Sequence, residues 1–251
     1  MAILGGELGY RVLRVLSPGE PRGMDGSAYN GVSKIEKLFG TALWEEVKDN
    51  IVIDFGCGSG SDSIELARRG SRFVYGIDIS KRLLDVAKQQ AEQSHCRNVS
   101  FGFAPLELAD LIISVDTFEH FADPATILKS MGTMLKPAGR VLVCFGPTWY
   151  HPRGGHLFSV FPWAHLIFTE QSLCRWRSHI RSDGATRFGE VEGGLNQMTI
   201  ARFEQLVRES SFQIETLETI PIRAARRLHN RITREFLTSV VRCRLRLRTP
   251  Q

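Results

Sequence analysis

Between Val52 and Gly70 the chain reads VIDFGCGSGSDSIELARRG, which sets Asp54, Gly56, Gly58 and Gly60 in a turn between an apolar run and a helix-like pattern. Missing side chains in such a turn let the backbone approach a ligand closely. A dinucleotide fingerprint, GxGxxG, would need glycine at position 61, where the chain has Ser61. The spacing is DxGxGxG instead. An acid two residues before the first glycine repels a pyrophosphate and attracts an ammonium group, and the tight turn leaves room for a carboxylate. Asp78 ends the next apolar run, in VYGIDIS, where a carboxylate can accept hydrogen bonds from both hydroxyls of a ribose.

A second group of reactive side chains follows. DTFEHF places Glu119 and His120 just beyond a further apolar run, at the carboxyl edge where open α/β sheets bind ligands. His120 is a candidate general base, since imidazole titrates near neutrality. The alternative is a histidine that caps the next helix or braces the cofactor loop, and for Glu119 an ordinary helix-start acid. From Pro147 to Thr199 the alternation of elements breaks, and this stretch holds Tyr150, His151, Arg153, His156, His165 and His179 with three of the four tryptophans. Long irregular insertions in compact domains serve as lids or binding loops. His151 and His156 are candidates to orient an acceptor, ahead of His165 inside its apolar run. The competing expectation is that Trp149, Phe158, Phe161 and Trp163 fill a local core.

The elements that must position these groups alternate. NIVIDFG, RFVYGIDI, VSFGF, DLIISV and RVLVCFG read as strands, with SDSIELARRG, SKRLLDVAKQQAEQ and a segment starting at Asp123-Pro124 as helices between them. That alternation predicts a mostly parallel sheet covered by helices on both faces. Ser80 and Thr199 are expected N-caps, the latter for a helix over TIARFEQLVRESSF. QIETLETI and VVRCRLRLR complete seven strands. The last has arginine at every second position, a charged face that a doubly covered central strand should not carry, so an edge position or a partner surface is expected there. The expected division is one domain, with a cofactor-binding core over 28–146, an insertion over 147–198 and a C-terminal completion of the sheet over 199–251.

A ligand with a ribose and an amino-acid tail but no phosphate is S-adenosylmethionine. In VIDFGCGSG, VYGIDIS, DLIISVDTFEHFADP and LKPAGRVLVCF, taken in order, the chain resembles the class I S-adenosylmethionine-dependent methyltransferases, close to the group that includes quinone-biosynthesis methyltransferases. The likeness runs from about Leu38 to Phe145. It implies a Rossmann-like fold with a lid insertion after the fifth strand. It further implies that Gly56, Gly58 and Gly60 turn beside the methionine part with Asp54 in support, that Asp78 holds the ribose, that Ile79 packs on the adenine and that Asp116 borders the sulfonium. One departure stands out: Phe103-Ala104-Pro105 occupies the place of the acid that accepts the adenine amino group, and Glu107 substitutes only if the loop folds back.

Composition bounds the reading. The 251 residues are 43% hydrophobic, enough for a substantial core. The net charge of +5 is local, because nine arginines lie between Arg223 and Arg248 with Glu235 as the only acid. A basic groove over the whole domain is thereby disfavoured. Five cysteines at irregular spacing, without a CxxC pair, give neither a zinc signature nor a disulfide framework, and a cytoplasmic enzyme without a metal is expected. The opening residues lack the apolar centre and cleavage site of a signal peptide. The function expected is methyl transfer from S-adenosylmethionine, with S-adenosylhomocysteine as product, to an oxygen of a small acceptor of the lipid, quinone, sugar or secondary-metabolite kind. The alternatives are an RNA or protein methyltransferase and a cofactor-binding relic without catalysis. Nucleic acid is not the expected partner; the C-terminal arginines would hold phosphates in the RNA alternative, and otherwise either meet an anionic membrane surface or form a solvated strand face, the commonest case for such a charge run.

Overall fold

The computed structural model describes residues 2–17, 32–191 and 193–249. The expected start of the core at residue 28 and the end of the chain at 251 lie outside the described residues. Among the described residues three helices precede the sheet: α1 (Gly6–Leu16), α2 (Lys34–Phe39) and α3 (Leu43–Val47). Strands and helices then alternate as β1 (Ile51–Phe55), α4 (Ser61–Arg68), β2 (Phe73–Ile77), α5 (Lys81–Gln93), β3 (Val99–Gly102), β4 (Ala109–Val115), α6 (Pro124–Met134) and β5 (Leu135–Phe145). Two short helices, α7 (Ala164–Ile167) and α8 (Glu170–Arg177), lie in the insertion. The chain closes with α9 (Ile200–Glu209), β6 (Phe212–Pro221), α10 (Arg234–Leu237) and β7 (Thr238–Leu247).

The seven strands form one sheet in the order β3-β2-β1-β4-β5-β7-β6. All pairings from β3 through β5 are parallel, and β7 runs antiparallel to both β5 and β6. Each strand of the parallel half is an apolar run because helices cover it on both sides. On one face Ile51, Ile53, Ile112 and Val143 pack with Leu128 and Met131 of α6 and Phe203 and Val207 of α9. On the other, Val52, Val74, Ile113 and Leu142 pack with Ile35 of α2, Val47 of α3 and Leu66 of α4. The expected caps are in place: the Ser80 and Thr199 hydroxyls accept from the N–H groups of Leu83 and Arg202, and Asp123 caps α6.

The C-terminal strand differs from expectation. It is not at an edge: β7 is interior and β6 is the edge strand. Its arginine face is accommodated by acids. Arg244 makes a bidentate pair with Glu46 of α3 at 2.6 and 2.7 Å, Arg242 pairs with Glu218 of β6 at 2.5 Å, and Arg246 lies 3.6 Å from Glu215. Val241, Cys243 and Leu245 fill the opposite face. Helices α2 and α3 reach only part of this end of the sheet, so half-exposed ion pairs serve where apolar residues would otherwise be required.

The insertion builds a satellite core of its own. Trp149, Phe158, Phe168, Leu173, Trp176 and Phe188 pack together with Leu13 of α1, while Phe161 packs against them and Trp163 is exposed. Helix α1 belongs to this unit, held by the indole of Trp176 donating to the Ser17 carbonyl at 2.7 Å and by Arg175 paired with Glu7 at 2.7 Å.

Candidate active site

The strand order reverses between β1 and β4, so the crossovers that follow these strands leave on opposite faces and open a crevice at their carboxyl ends. Asp54, near the end of β1, is buried, and the Ser63 hydroxyl of α4 donates to it at 2.5 Å. Burial pushes its carboxyl up to about 7, with Asp62 adding repulsion. The glycine turn follows. Gly56 donates its N–H to the Ile77 carbonyl at 2.7 Å, tying the turn to the end of β2, and Thr117 leaves no space for a Cβ on it. Gly60 caps α4 in the left-handed region, and a Cβ there would lie 2.7 Å from both Ala87 and Phe101. Gly58 also has positive φ, 52°, but nothing lies within 4 Å of a Cβ built on it. It borders the open crevice, whereas Gly56 and Gly60 are hemmed in by protein.

Asp78 stands beyond β2 with both carboxylate oxygens engaged: Oδ2 accepts from the Gly58 N–H at 2.9 Å and Oδ1 from the Ser80 N–H at 2.8 Å. It therefore fixes the glycine turn against the start of α5. Ile79 follows, 96% exposed, and Phe103, 64% exposed, lies just beyond the end of the neighbouring β3. These are apolar surfaces suited to the face of a purine. Glu107 does not reach them. Its carboxylate accepts from the Tyr75 hydroxyl at 3.2 Å and lies 3.9 Å from Arg72, at the amino end of β2, away from the crevice.

Asp116, at the end of β4, adopts φ of 52°, a conformation uncommon for a non-glycine residue. It pairs with Lys34 of α2 at 2.9 Å. The same ammonium group partly offsets the upward push of burial on the carboxyls of Asp54, Asp62 and Glu119, so it sits among four acids. Nothing in the sequence singled out Lys34, which lies twenty residues before Asp54 and in no recognisable motif.

Glu119 is not an ordinary helix-start acid. It is 2% exposed, one oxygen accepts from the Gly146 N–H at 3.2 Å and the other has no partner. Burial pushes its carboxyl up to about 8, so it is protonated at neutral pH. The available signal was its setting between Phe118 and Phe121, which pack on each other beside it.

The structure brings His120 and His156 together, ring edge against ring face, with centroids 5.3 Å apart. His120 Nδ1 lies 2.7 Å from the Gly194 carbonyl. A carbonyl only accepts, so Nδ1 carries a proton, and the tautomer this contact selects has its lone pair at Nε2. His156 is held at φ of 50°, and its buried Nε2 has no partner. Burial, with His120, His165 and His151 nearby, pushes His156 down to about 4. His151 is spent differently: its Nδ1 accepts from the Arg153 N–H at 3.0 Å within its own turn. His165 is a structural ring, donating from Nε2 to the Trp149 carbonyl at 2.7 Å and bonded at Nδ1 to Ser159 at 3.0 Å. Among the described residues no group of three or more His, Cys, Asp or Glu side chains is placed to hold a metal ion.

Residues 46–147 match the family model described as a methyltransferase domain. Over that stretch the chain is similar to methyltransferase domains. The chain is 39% identical over 98 residues to a ubiquinone biosynthesis O-methyltransferase of Acinetobacter baylyi, a match that covers 36% of this chain and 41% of the relative. It is 34% identical over 101 residues to the protein of that name from Coxiella burnetii, covering 38% and 43%. The chain thus spans about two fifths of the length of these curated relatives. Its fold is that of an S-adenosylmethionine-dependent methyltransferase from Mesorhizobium loti, with TM-score 0.56 and 17% identity over 87% of this chain and 99% of that one. A second neighbour, from Listeria monocytogenes, has TM-score 0.55 and 16% identity over 81% and 93%.

Proposed function

We propose that the methyltransferase transfers a methyl group from S-adenosylmethionine to an oxygen of a small, largely apolar acceptor. The observation that carries this reading is the His120–His156 pair, which meets at the end of β4 four residues past Asp116. The crevice suits the cofactor by the chemistry of its lining. Asp54, Asp62 and Asp116 favour a ligand with ammonium and sulfonium charges, Gly58 leaves space for it, and Ile79 and Phe103 offer apolar faces to its base. Lys34, already paired with Asp116, is the cation placed to meet a carboxylate there.

When bound, S-adenosylmethionine supplies an electrophilic methyl group on a sulfonium. The chain's own task is alignment and proton removal. An acceptor hydroxyl placed against His120 Nε2 loses its proton to that lone pair as its oxygen attacks in line. The Gly194 carbonyl holds the imidazole in the required tautomer and stabilises the imidazolium that results. His156 offers its unpartnered nitrogen to a second polar group of the acceptor, while the insertion shields the site from water. The names of the curated relatives support oxygen as the methylated atom and a small molecule as the acceptor.

The test is turnover with phenolic probes, from a simple catechol to a prenylated hydroquinone, together with calorimetric titration of S-adenosylhomocysteine. His120→Asn keeps a donor for the Gly194 carbonyl but removes the base. It is expected to lower kcat by about a hundredfold or more, with affinity for S-adenosylhomocysteine held within a few-fold. An unchanged kcat would remove the base assignment. A wild-type protein that fails to bind S-adenosylhomocysteine at all would leave a relic of the fold without the activity.

A further inference from the structure

The structure divides the arginines from Arg223 to Arg246 into two sets. Those of β7 are neutralised by Glu46, Glu218 and Glu215, and Arg234 pairs with Glu204 at 2.8 Å. Arg223, Arg226, Arg227 and Arg231, all in the connection between β6 and β7, are exposed and have no acidic partner among the described residues. Large apolar side chains project from the same connection: Leu228 is 66% exposed, Ile232 88% and Phe236 46%. They are not held out by a slack loop. Asn230 Oδ1 accepts from the N–H groups of Ile232 at 2.8 Å and Thr233 at 3.2 Å, and the Thr233 hydroxyl donates to the Leu228 carbonyl at 2.6 Å. A turn fixed in this way presents Leu228 and Ile232 to solvent by construction.

The apolar surface continues onto the insertion. The Phe236 and Tyr150 rings lie 5.3 Å apart, and the exposed Trp163 donates its indole N–H to the Tyr150 carbonyl at 2.9 Å. Exposed aliphatic tips, a rim of unpaired arginines, and a tyrosine and a tryptophan beside them form the combination that the boundary between headgroups and acyl chains favours. A nucleic acid would use the arginines and gain nothing from Leu228 and Ile232. A second copy meeting this face across a two-fold axis would bring the unpaired arginines of both copies together.

We propose that residues 222–237, with Tyr150 and Trp163, form a peripheral docking surface for an anionic lipid bilayer. The four arginines hold headgroup phosphates while Leu228, Ile232 and Phe236 enter the acyl boundary. The surface abuts the insertion, so docking turns the insertion toward the bilayer, the phase in which an apolar acceptor dissolves. Docking at this surface is independent of methyl transfer and is measured without it.

Co-sedimentation of the full chain with mixed phosphatidylglycerol/phosphatidylcholine vesicles, against pure phosphatidylcholine vesicles, tests the proposal. Binding is expected only to the anionic vesicles and to weaken with added salt. Replacing Arg223, Arg226, Arg227 and Arg231 together by Gln removes about fivefold in affinity per arginine, several hundred-fold in all. The double variant Leu228→Asp, Ile232→Asp is expected to lose vesicle binding as well, although it retains every arginine. An unchanged thermal midpoint in both variants shows that the fold is intact. The proposal is overturned if the wild type binds neither vesicle, if either variant binds the anionic vesicles as the wild type does, or if single-stranded RNA displaces the protein from them. It is equally overturned if the aspartate variant is monomeric where the wild type sediments as a dimer that does not bind lipid.

Discussion

Asp78 does two things at once. Its carboxylate spans the Gly58 and Ser80 N–H groups, holding the glycine turn, and it stands at the end of β2, where ribose hydroxyls are met in this fold. Hydrogen bonds to a charged carboxylate are each worth about 1.5–3 kcal/mol. Asp78→Ala is therefore expected to weaken S-adenosylhomocysteine binding by about two orders of magnitude in a calorimetric titration. An affinity within threefold of the wild type would remove Asp78 from the cofactor contact. Glu119 teaches a complementary lesson at this scale. Its sequence position suggested an acid at a solvated helix start, yet Phe118 and the end of β5 enclose it, and enclosure decides its protonation.

At the scale of elements, the turn between β1 and α4 separates two uses of glycine. Gly60 is needed by the packing of α4 against α5, since a Cβ would press on Ala87 and Phe101. Gly58 faces open space, so no packing contact in the protein requires it to lack a Cβ. Gly60→Ala is expected to cost on the order of 2–3 kcal/mol of stability, from overpacking added to strain at positive φ. Gly58→Ala carries only the backbone strain, about 1–2 kcal/mol, but places a methyl group in the cofactor's path. Thermal melts and S-adenosylhomocysteine titrations on the two variants should therefore give opposite orders of severity, Gly60→Ala the lower midpoint and Gly58→Ala the weaker binding. The same order in both measurements would show that the two glycines serve one purpose.

For the whole molecule, buried titratable groups set a pH window. His151, His156 and His165 are each pushed down to about 4 by burial, so the stability that depends on their neutrality is complete above about 6.5 and is lost as pH falls toward 4. Glu119 and Asp54 are pushed up by burial to about 8 and about 7 from ordinary values of 4.5 and 3.8. The stability associated with their protonated forms is complete below those ordinary values and is lost as pH rises through the folded ones. The opposing slopes place the maximum near pH 6.5. Glu119→Gln keeps the acceptor for the Gly146 N–H and cannot ionise, so its thermal midpoint should fall less than the wild type's between pH 6.5 and 9 while matching it at pH 5. Parallel curves across the whole range would show that Glu119 ionises in the folded protein as it does in the unfolded chain, and that burial does not raise its carboxyl.

The sequence by itself determined the parallel half of the sheet and the glycine turn at its carboxyl edge. Strands buried on both faces must be apolar runs, helices between them must carry apolar stripes, and a glycine turn flanked by Asp54 and Asp78 has few uses, so local pattern and chemistry coincide there. Tertiary structure alone decided which distant groups meet. His120 and His156 are thirty-six positions apart, and their contact depends on how the insertion folds back over β4. Lys34 reaches Asp116 because α2 packs across the sheet, and spacing along the chain carries no trace of that. The arginine face of β7 contradicts the pattern of an interior strand, and only the placement of Glu46 and Glu218 opposite it shows why the strand is tolerated there. Periodicity reports which side of an element is buried. It does not report what buries it, and in this protein the reactive groups lie where separate elements close on one another.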